Sequence, residues 1–460
     1  MSTPYAFAHA NRARFLEEYQ QLLRIRTIST QPQHAQDVAR AAEWLREMML
    51  RIGMTSAEVI LMPQGRCPLV LGEWNGAGAD APTVLIYSHY DVQPAEVADG
   101  WHTQPFEPTI IDERLYCRGA VDSKLHVMAN MKAVESWLAA DEKPAVNLRV
   151  VLEGEEESGS ENINAFIAAH PERLAADIAV VSDGAILAPE QPSLTYGLRG
   201  ALALELEVHA PVSDLHSGHW GGSVHNPLQA LCEILAQLHD DDGAVSVPGF
   251  YDDVAPLTPQ DRQLLQQVEP FLQAEWADVV AAPGQWGEPQ YILPERLGAR
   301  PTLEINGMIG GYTGPGMKTV LPAKASAKIT CRLVPHQDPE RVMRCVVEHI
   351  ENIAPPTVRV TVLPGDFGAR AVLLDVDGAA MRAASQAYTH AWGLQPVFER
   401  SGGSVPICFG CMEVADEVVI MSYGLKSGRA HGPNENIYLQ NFYNGIEAMI
   451  KFIEVVGAGE

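Results

Sequence analysis

Three short apolar segments, separated by helical patterns, constrain most strongly what this chain can fold into. They run from Thr83 to Tyr87, from Val146 to Leu152 and from Ile178 to Val181, and a helical pattern from Lys124 to Ala140 lies between the first two. Continuous apolar runs of this length are typical of strands buried on both faces, and helices between them are typical of crossover connections. The alternation therefore predicts an α/β sheet.

The pattern changes after residue 200, where a second domain is predicted. Leucines at 202, 204 and 206 alternate with polar residues, as in a half-exposed antiparallel strand. Further alternating strands and amphipathic helices predict an α+β unit with helices on one sheet face. The stretch from Gly243 to Arg300 contains Pro, Gly and Trp and is predicted to be a long irregular insertion. After Pro364 the first pattern resumes, which predicts one domain from residues 1–198 and 373–460 and an inserted domain from 199–372.

Charge and cysteine content limit the partners and the compartment. The 460 residues include 58 acidic and 32 basic ones, a formal charge of −26. Such a charge repels phosphate backbones and anionic membranes, so neither nucleic acid nor a membrane is an expected partner. The seven cysteines are scattered, no secretory leader is recognised, and no apolar run approaches the roughly 20 residues that span a bilayer. We therefore predict a soluble, cytoplasmic protein.

Imidazole or carboxylate side chains follow each of the three apolar segments. His89 and Asp91 come after the first, a run of acids from Glu153 to Glu157 after the second, and Asp183 after the third. Open α/β sheets place their sites at the carboxyl ends of such strands. Taken singly, each acid would more often be a helix cap or a surface charge, but their recurrence after successive strands predicts a site.

Two loops add further candidate ligands. Asp122 lies in the loop from Arg118 to Lys124, and His431 lies in the loop from Arg429 to Glu435. Two imidazoles together with several carboxylates suit zinc, cobalt or manganese, and one carboxylate can bridge two ions.

In order along the chain, these segments resemble the signature of one known family. It is the co-catalytic zinc metallopeptidase family that includes carnosine and cysteinylglycine dipeptidases, carboxypeptidase G and acetylornithine deacetylase. The resemblance spans most of the chain. It implies a zinc-peptidase-type catalytic domain, with a mixed sheet flanked by helices, and an inserted ferredoxin-like α+β domain that serves as a lid and in homodimerisation. The matching segments are His89-Tyr90-Asp91, Arg118-Gly119 with Asp122 and Lys124, Glu153-Gly154 with Glu156 to Ser160, Ser182-Asp183, and His431 with Asn434-Glu435.

By position, the resemblance implies a centre of two divalent metal ions. Asp122 would bridge the ions. His89 and Asp183 would complete one site, and Glu157 and His431 would complete the other. Zinc is the favoured metal, with manganese or cobalt as alternatives.

The resemblance also implies the residues that act on water. Glu156 resembles the general base, which takes a proton from the attacking water and passes it to the leaving amine. Asp91 resembles the carboxylate that orients the imidazole of His89. The neighbouring Glu155 has no assigned role.

Four further residues, two of them in the predicted second domain, are candidates for substrate contacts. His216 resembles a family histidine that reaches the substrate carbonyl, often from the partner subunit, although a hydrogen-bonded turn histidine is an alternative. Arg332 resembles the arginine that holds a substrate carboxylate. Gly402 and Ser404 lie in a segment that resembles a family loop close to the substrate, with a plain turn as the alternative.

The resemblance favours a dipeptidase that cuts the amide bond of a small peptide. Family peptidases that act on free amino termini tend to have Asp at position 183, whereas deacylases tend to have Glu. The alternatives are an N-acyl-amino-acid deacylase, a carboxypeptidase, and a catalytically retired metal-binding scaffold, against which Glu156 argues. One departure is visible, because Leu125-His126 follows Lys124 where the family commonly has Gly.

Overall fold

The computed structural model describes residues 3–63 and 65–459, apart from the side chains of residues 366 and 367. The chain divides into two compact units: the first comprises Met1–Tyr196, Leu374–Phe398 and Pro406–Glu460, and the second comprises Gly197–Leu373 and Glu399–Val405. The α-helices are α1 Pro4–Ala10, α2 Arg12–Leu23, α3 Ala35–Arg51, α4 Lys124–Ala139, α5 Glu161–Ala169, α6 Ser217–Trp220, α7 Pro227–Leu235, α8 Pro259–Glu275, α9 Leu293–Gly298, α10 Pro339–Ile353, α11 Ala379–Trp392, α12 Ile407–Val414 and α13 Leu439–Ala458. The strands are β1 Ser56–Ile60, β2 Leu69–Trp74, β3 Thr83–His89, β4 Thr109–Ile111, β5 Arg114–Tyr116, β6 Asn147–Glu153, β7 Ala176–Val181, β8 Ala185–Ile186, β9 Ser193–Leu198, β10 Gly200–His209, β11 Leu215–His216, β12 Thr302–Gly310, β13 Val320–Leu321, β14 Lys324–Leu333, β15 Arg359–Ala369, β16 Val372–Leu373, β17 Val397–Ser401, β18 Ala415–Ile420, β19 Gly424–Leu425 and β20 Asn436–Tyr438.

A mixed sheet forms the centre of the first unit, with strand order β1-β2-β6-β3-β7-β18-β9. The four strands β6-β3-β7-β18 are parallel, whereas β2 and β9 pair antiparallel with their neighbours. Every residue of β3 after Thr83 is buried, which is typical of a parallel strand covered on both faces. Helices α3, α4, α11 and α12 pack against the strands. The predicted α/β fold with a mixed sheet flanked by helices is confirmed.

Helix α4 is buried along nearly its whole length and packs against α13. The indole Nε1 of Trp137 donates to the backbone oxygen of Ile450 at 3.1 Å, which joins the two helices. The N-terminus of α4 follows directly on the segment that contains Asp122, so burial of this helix positions that segment.

The second unit contains a four-stranded antiparallel sheet of order β12-β14-β10-β15. Along the chain, its elements follow the sequence β10-α7-β12-β14-α10-β15, which is the ferredoxin-like arrangement predicted for the inserted domain. Alternate residues of β10, such as Leu204 and Leu206, are buried in a core with Ile234 of α7 and Val346 of α10. Glu205 and Glu207 alternate with these leucines and are only partly buried.

The predicted irregular insertion from Gly243 to Arg300 is wrong in part, because it contains the 17-residue helix α8. This helix begins with a capping box. The hydroxyl of Thr258 accepts from the backbone N–H of Asp261 at 3.0 Å, and the Asp261 carboxylate accepts from the backbone N–H of Thr258 at 3.0 Å. The capping residues therefore indicate a helix in the sequence, although the Pro, Gly and Trp content of the stretch led to the prediction of an irregular segment.

No helix in the described part of the chain is long and apolar enough to cross a membrane.

Candidate active site

The ends of neighbouring parallel strands deliver the first polar groups of the site. His89 is the last residue of β3, Glu153 is the last residue of β6, and Asp183 follows the end of β7 by two residues. Pairing continues past these ends, since the backbone N–H of Tyr90 donates to the oxygen of Glu153 at 2.8 Å. The parallel register thus brings distant parts of the sequence to one edge of the sheet.

Two groups of potential metal ligands share Asp122. One group is His89, Asp122 and Asp183, and the other is Asp122, Glu157 and His431; within each, one ligand atom per residue lies within 4.8 Å of the others. Asp122 Oδ1 lies 3.0 Å from His89 Nε2, and Asp122 Oδ2 lies 3.0 Å from His431 Nε2. The structure therefore brings together the five residues predicted to bind metal, with Asp122 between the two imidazoles.

The outer carboxylates complete each group. Asp183 Oδ1 lies 3.8 Å from His89 Nε2, and Glu157 Oε2 lies 3.1 Å from His431 Nε2. Glu157 Oε2 also accepts from Gln93 Nε2 at 2.8 Å. In contrast, Glu157 Oε1 is buried without a hydrogen-bond partner in the described part of the chain. A buried carboxylate oxygen without a donor is costly unless a cation lies beside it, so the residues present fit a pair of divalent ions.

The charges of the cluster influence one another strongly. Burial acts to lower the pKa of His89, but the hydrogen bond to Asp122 and the negative charge of Asp183 nearby hold that pKa well above its usual range. Hydrogen bonds to Asp122 and Glu157 raise the pKa of His431 to about 10. Burial opposes ionisation of Asp122, yet the hydrogen bonds from the two imidazoles lower its pKa. Closely spaced acids of this kind attract positive charge to the cluster.

Asp91 connects His89 to the loop that follows β6. Its carboxylate is buried, and Oδ1 lies 3.3 Å from Nδ1 of His89. The same carboxylate accepts from the backbone N–H groups of Glu156 at 3.2 Å and Glu157 at 3.1 Å. The Ser29 hydroxyl also donates to it at 2.6 Å. Asp91 is thus placed to orient the imidazole, and Ser29 is a contact that the sequence motifs did not reveal.

The three consecutive glutamates have different environments. Without bound cations, burial raises the pKa of Glu156 to about 9; Asp183 and Asp91 add to this effect, and His89 opposes it. Divalent ions beside this carboxyl would favour its ionised form, which is the form a general base needs. Glu157 contacts His431, as described above. Glu155, which had no assigned role, accepts from the backbone N–H groups of Arg66 at 2.9 Å, Cys67 at 3.1 Å and Asn162. It therefore holds the loop in place at the start of α5.

A buried ion pair joins the two loops that carry Asp122 and His431. Glu435 accepts from Arg118 Nη1 at 2.6 Å and from the backbone N–H groups of Val121 at 2.8 Å and Asp122 at 3.0 Å. Arg118 Nη2 donates to the backbone oxygen of His431 at 3.0 Å. The loops are also aligned because β5 and β20 pair antiparallel. The sequence signature contains both residues of the pair, but it did not assign them a positioning role.

We expect the Glu435→Gln variant to weaken both folding and metal binding. Glutamine keeps the shape but leaves the buried Arg118 guanidinium without a counter-charge, which costs about 3 kcal/mol of unfolding free energy. Loss of an outer-shell partner typically lowers metal affinity by about 10- to 100-fold. Urea unfolding and competition titration with a metal chelator would measure the two effects. The exposed Glu413→Gln variant is the control, and unchanged metal affinity in Glu435→Gln would contradict the positioning role.

Leu125 and His126, which follow Lys124 where the family commonly has Gly, both lie inside the first unit. Leu125 is fully buried in the first turn of α4. His126 Nε2 accepts from the backbone N–H of Tyr423 at 3.1 Å, so its proton resides on Nδ1 and faces the Ser123 hydroxyl at 2.8 Å. Burial lowers the pKa of His126 to about 4. This histidine is therefore a neutral packing residue at the start of the helix.

His216 lies in the second unit, where its side chain is exposed at the end of β11. Its Nδ1 accepts from the backbone N–H of Gly218 at 3.0 Å, and its ring stacks on that of His219 with centroids 4.4 Å apart. Since Nδ1 accepts, the proton of the neutral ring is on Nε2. The ring therefore presents an N–H donor outward.

The other three predicted substrate contacts lie together in the second unit. Arg332 Nη1 donates to the Ser404 hydroxyl at 3.1 Å, and that hydroxyl donates to the backbone oxygen of Arg199 at 2.6 Å. The guanidinium Nε of Arg199 donates to the backbone oxygen of Gly402 at 3.1 Å. A Cβ atom at position 402 would lie 2.8 Å from Arg199 Nη2 and 2.9 Å from the oxygen of Leu297, so a larger residue does not fit there.

An α/β sheet edge that holds two histidines and two further carboxylates around one shared aspartate defines the class of metal-dependent hydrolases with paired ion sites. Comparison with known proteins gives the particular family. The model of "Peptidase family M20/M25/M40" matches residues 85–455, and the chain belongs to this family.

Similar proteins place the chain among the dipeptidases of the family. It is 34% identical over 396 residues to the Cys-Gly metallodipeptidase dug1 of Schizosaccharomyces pombe, covering 84% of this chain and 82% of the relative. It is 29% identical over 463 residues to the human Beta-Ala-His dipeptidase, covering 97% and 91%. The solved structure of the dipeptidase Dug1p from Saccharomyces cerevisiae superposes with a TM-score of 0.83 at 27% identity, covering 100% and 99%. The predicted metallodipeptidase function is confirmed.

Proposed function

We propose that this metallodipeptidase binds two divalent ions through the five clustered residues and hydrolyses the amide bond of unmodified dipeptides. The observation that carries the proposal is the sharing of Asp122, whose two oxygens each lie 3.0 Å from a different imidazole. In this assignment His89 and Asp183 complete one ion site, and Glu157 and His431 complete the other. Zinc is the favoured ion because imidazole and carboxylate ligands suit it, with manganese or cobalt as alternatives.

The chemistry that two bound divalent ions supply at such a centre is activation of a water molecule and polarisation of the scissile carbonyl. The protein's own part begins with Glu156, which takes a proton from the attacking water and returns it to the leaving amine. Asp91 holds the imidazole of His89 and, through the backbone N–H groups of Glu156 and Glu157, keeps the base beside its neighbouring ligand.

Two residues of the second unit are assigned to the substrate. His216 carries its proton on Nε2, so it can donate to the carbonyl oxygen as negative charge develops there. Arg332 binds the carboxylate of the substrate, and Ser404 and Gly402 support it by forming a closely packed loop. Homodimer formation and a cytoplasmic location stay predictions from the sequence.

The similar proteins suggest the substrates. Relatives with comparable chain length are described as acting on Cys-Gly and β-Ala-His, so these two dipeptides are our proposed substrates. Asp183, just beyond β7, favours a dipeptidase over a deacylase, as argued from the sequence.

We expect metal removal to abolish activity and metal addition to restore it. Protein treated with a chelator should lose hydrolysis of Ala-Ala, Cys-Gly and β-Ala-His, because water without bound metal is a poor nucleophile at neutral pH. Zn²⁺ or Mn²⁺ should restore cleavage in proportion to the two ions bound, measured by elemental analysis. N-acetyl amino acids and a longer peptide complete the panel. Exclusive cleavage of acylated substrates would instead identify a deacylase, and no turnover with two ions bound would favour a metal-binding scaffold.

A further inference from the structure

The second unit contains a cavity of about 370 Å³ on the polar face of its sheet. Arg332 and Thr330 of β14 and Glu304 of β12 line it, whereas intervening residues such as Leu303 point into the apolar core. Arg199, which lies between β9 and β10, lines the same cavity. Arg199 was not among the residues singled out from the sequence.

Arg199 and Arg332 lack a counter-charge of the kind that several other arginines of this unit have. Arg300, for example, donates to both oxygens of Glu288 at 2.7 Å. In the described part of the chain, neither Arg199 nor Arg332 forms a salt bridge, although acids outnumber bases 58 to 32 overall. Burial and the neighbouring Arg332 lower the pKa of Arg199 to about 10, and Glu304 only partly offsets this. Two like charges beside one cavity favour the binding of an anion.

The backbone and the side chain of Arg199 make different hydrogen bonds. Its backbone N–H donates to the oxygen of Gly403 at 3.2 Å, and its backbone oxygen accepts from Ser404 at 2.6 Å. Any residue could make these two bonds. Of the guanidinium, only Nε is hydrogen-bonded within the described residues, to the oxygen of Gly402 at 3.1 Å. Both terminal Nη groups are therefore available to a ligand in the cavity.

We propose that Arg199 is a second carboxylate-binding residue, and that Arg199 and Arg332 together hold the free α-carboxylate of the substrate's C-terminal residue. This inference rests on the proposed dipeptidase function and assigns a specificity-determining role to a further residue. A guanidinium can meet a carboxylate with two parallel N–H donors, and a second guanidinium supplies donors for the remaining lone pairs. A peptide with an amidated C-terminus leaves both positive charges unpaired and is a poor substrate.

The test compares Ala-Ala with Ala-Ala amide in the metal-loaded enzyme. Arg199→Gln should raise KM for Ala-Ala by about 10- to 100-fold with a smaller change in kcat, because a charge-assisted hydrogen bond is lost from substrate binding. The preference for the free acid over the amide should fall by a similar factor. Arg199→Lys should recover part of that preference, since lysine restores the positive charge but not the two parallel N–H donors of the guanidinium.

The matched control is Arg296→Gln. Arg296 lines the same cavity, but its terminal nitrogens donate to neutral groups, the backbone oxygen of Trp286 at 2.9 Å and the side chain of Gln285. This variant should keep the preference for the free acid. Thermal melting of each variant separates a folding defect from a binding defect. If Arg199→Gln does not fold, the preference for the free acid over the amide is measured in Arg199→Lys instead.

Equal loss of activity on both substrates in Arg199→Gln, or an unchanged preference, would overturn the inference while leaving the dipeptidase function intact. If the wild-type enzyme cleaves no dipeptide, the proposed function itself fails. Arg199 is then tested by calorimetric titration with Ala-Ala, where binding that is equally strong in wild type and Arg199→Gln would overturn its role.

Discussion

The Glu156→Gln enzyme should retain two divalent ions and lose about 10²- to 10⁴-fold in kcat for dipeptide hydrolysis, the range typical of a general base. Glutamine keeps the size of the side chain but cannot accept a proton from the attacking water. The five residues of the ion cluster are unchanged in this variant, and the backbone N–H of residue 156 can still donate to Asp91. The loss should therefore appear in kcat, measured by steady-state cleavage of Cys-Gly alongside elemental analysis of bound metal.

The control for this experiment is Glu161→Gln. Glu161 is an exposed acid at the start of α5, five residues further along the same segment, and its replacement should leave kcat within about twofold, as surface substitutions usually do. A Glu156→Gln enzyme that keeps more than about a tenth of wild-type kcat would identify another base, since a general base contributes more than this. Loss of one ion in that variant would instead make Glu156 a ligand.

The Asp122→Asn variant should lose both ions and fall at least about 10³-fold in activity, because bound metal supplies several kcal/mol of transition-state stabilisation. Each oxygen of Asp122 contacts a different imidazole. An amide has one oxygen and one NH₂ group, so it cannot present an acceptor to both sides. Elemental analysis after dialysis, together with the kinetics of Cys-Gly cleavage, would measure both effects.

Asp183→Asn provides the matched comparison for this second experiment. Asp183 belongs to only one of the two ligand groups, so its replacement should weaken one ion site and spare the other. A stoichiometry of two ions in Asp122→Asn would show that this residue does not bridge. Identical losses in the two variants would show that the two ion sites do not fill independently.

Much of the site could be predicted because its residues follow elements with a strong local signal. His89, Glu157 and Asp183 each follow an apolar strand, and parallel strands must end at a common edge of their sheet. The resemblance to a known family then separated the neighbours Glu155, Glu156 and Glu157, which composition alone does not distinguish. Their different environments in the structure reflect the divergence of adjacent side chains in an irregular loop.

The residues that the sequence motifs left without a role make contacts across long stretches of the chain. Arg118 and Glu435 are 317 positions apart, Ser29 and Asp91 are 62 apart, and Arg199 meets the loop at Gly402 203 positions later. A hydrogen bond of this kind leaves no periodicity in the sequence, because it depends on how separate elements pack.

By itself, the sequence determined the fold class and the two kinds of sheet, since burial of apolar residues imposes a repeat along each strand and helix. It also determined the inventory of candidate metal ligands, because these residues follow the apolar strands. Only the tertiary structure decided that Asp122 lies between the two imidazoles, that the Arg118–Glu435 pair joins their loops, and that Arg199 lies beside Arg332 without a carboxylate partner among the described residues. The physical reason is that distances between distant residues follow from the packing of whole elements, whereas a local pattern records only which face of an element is buried.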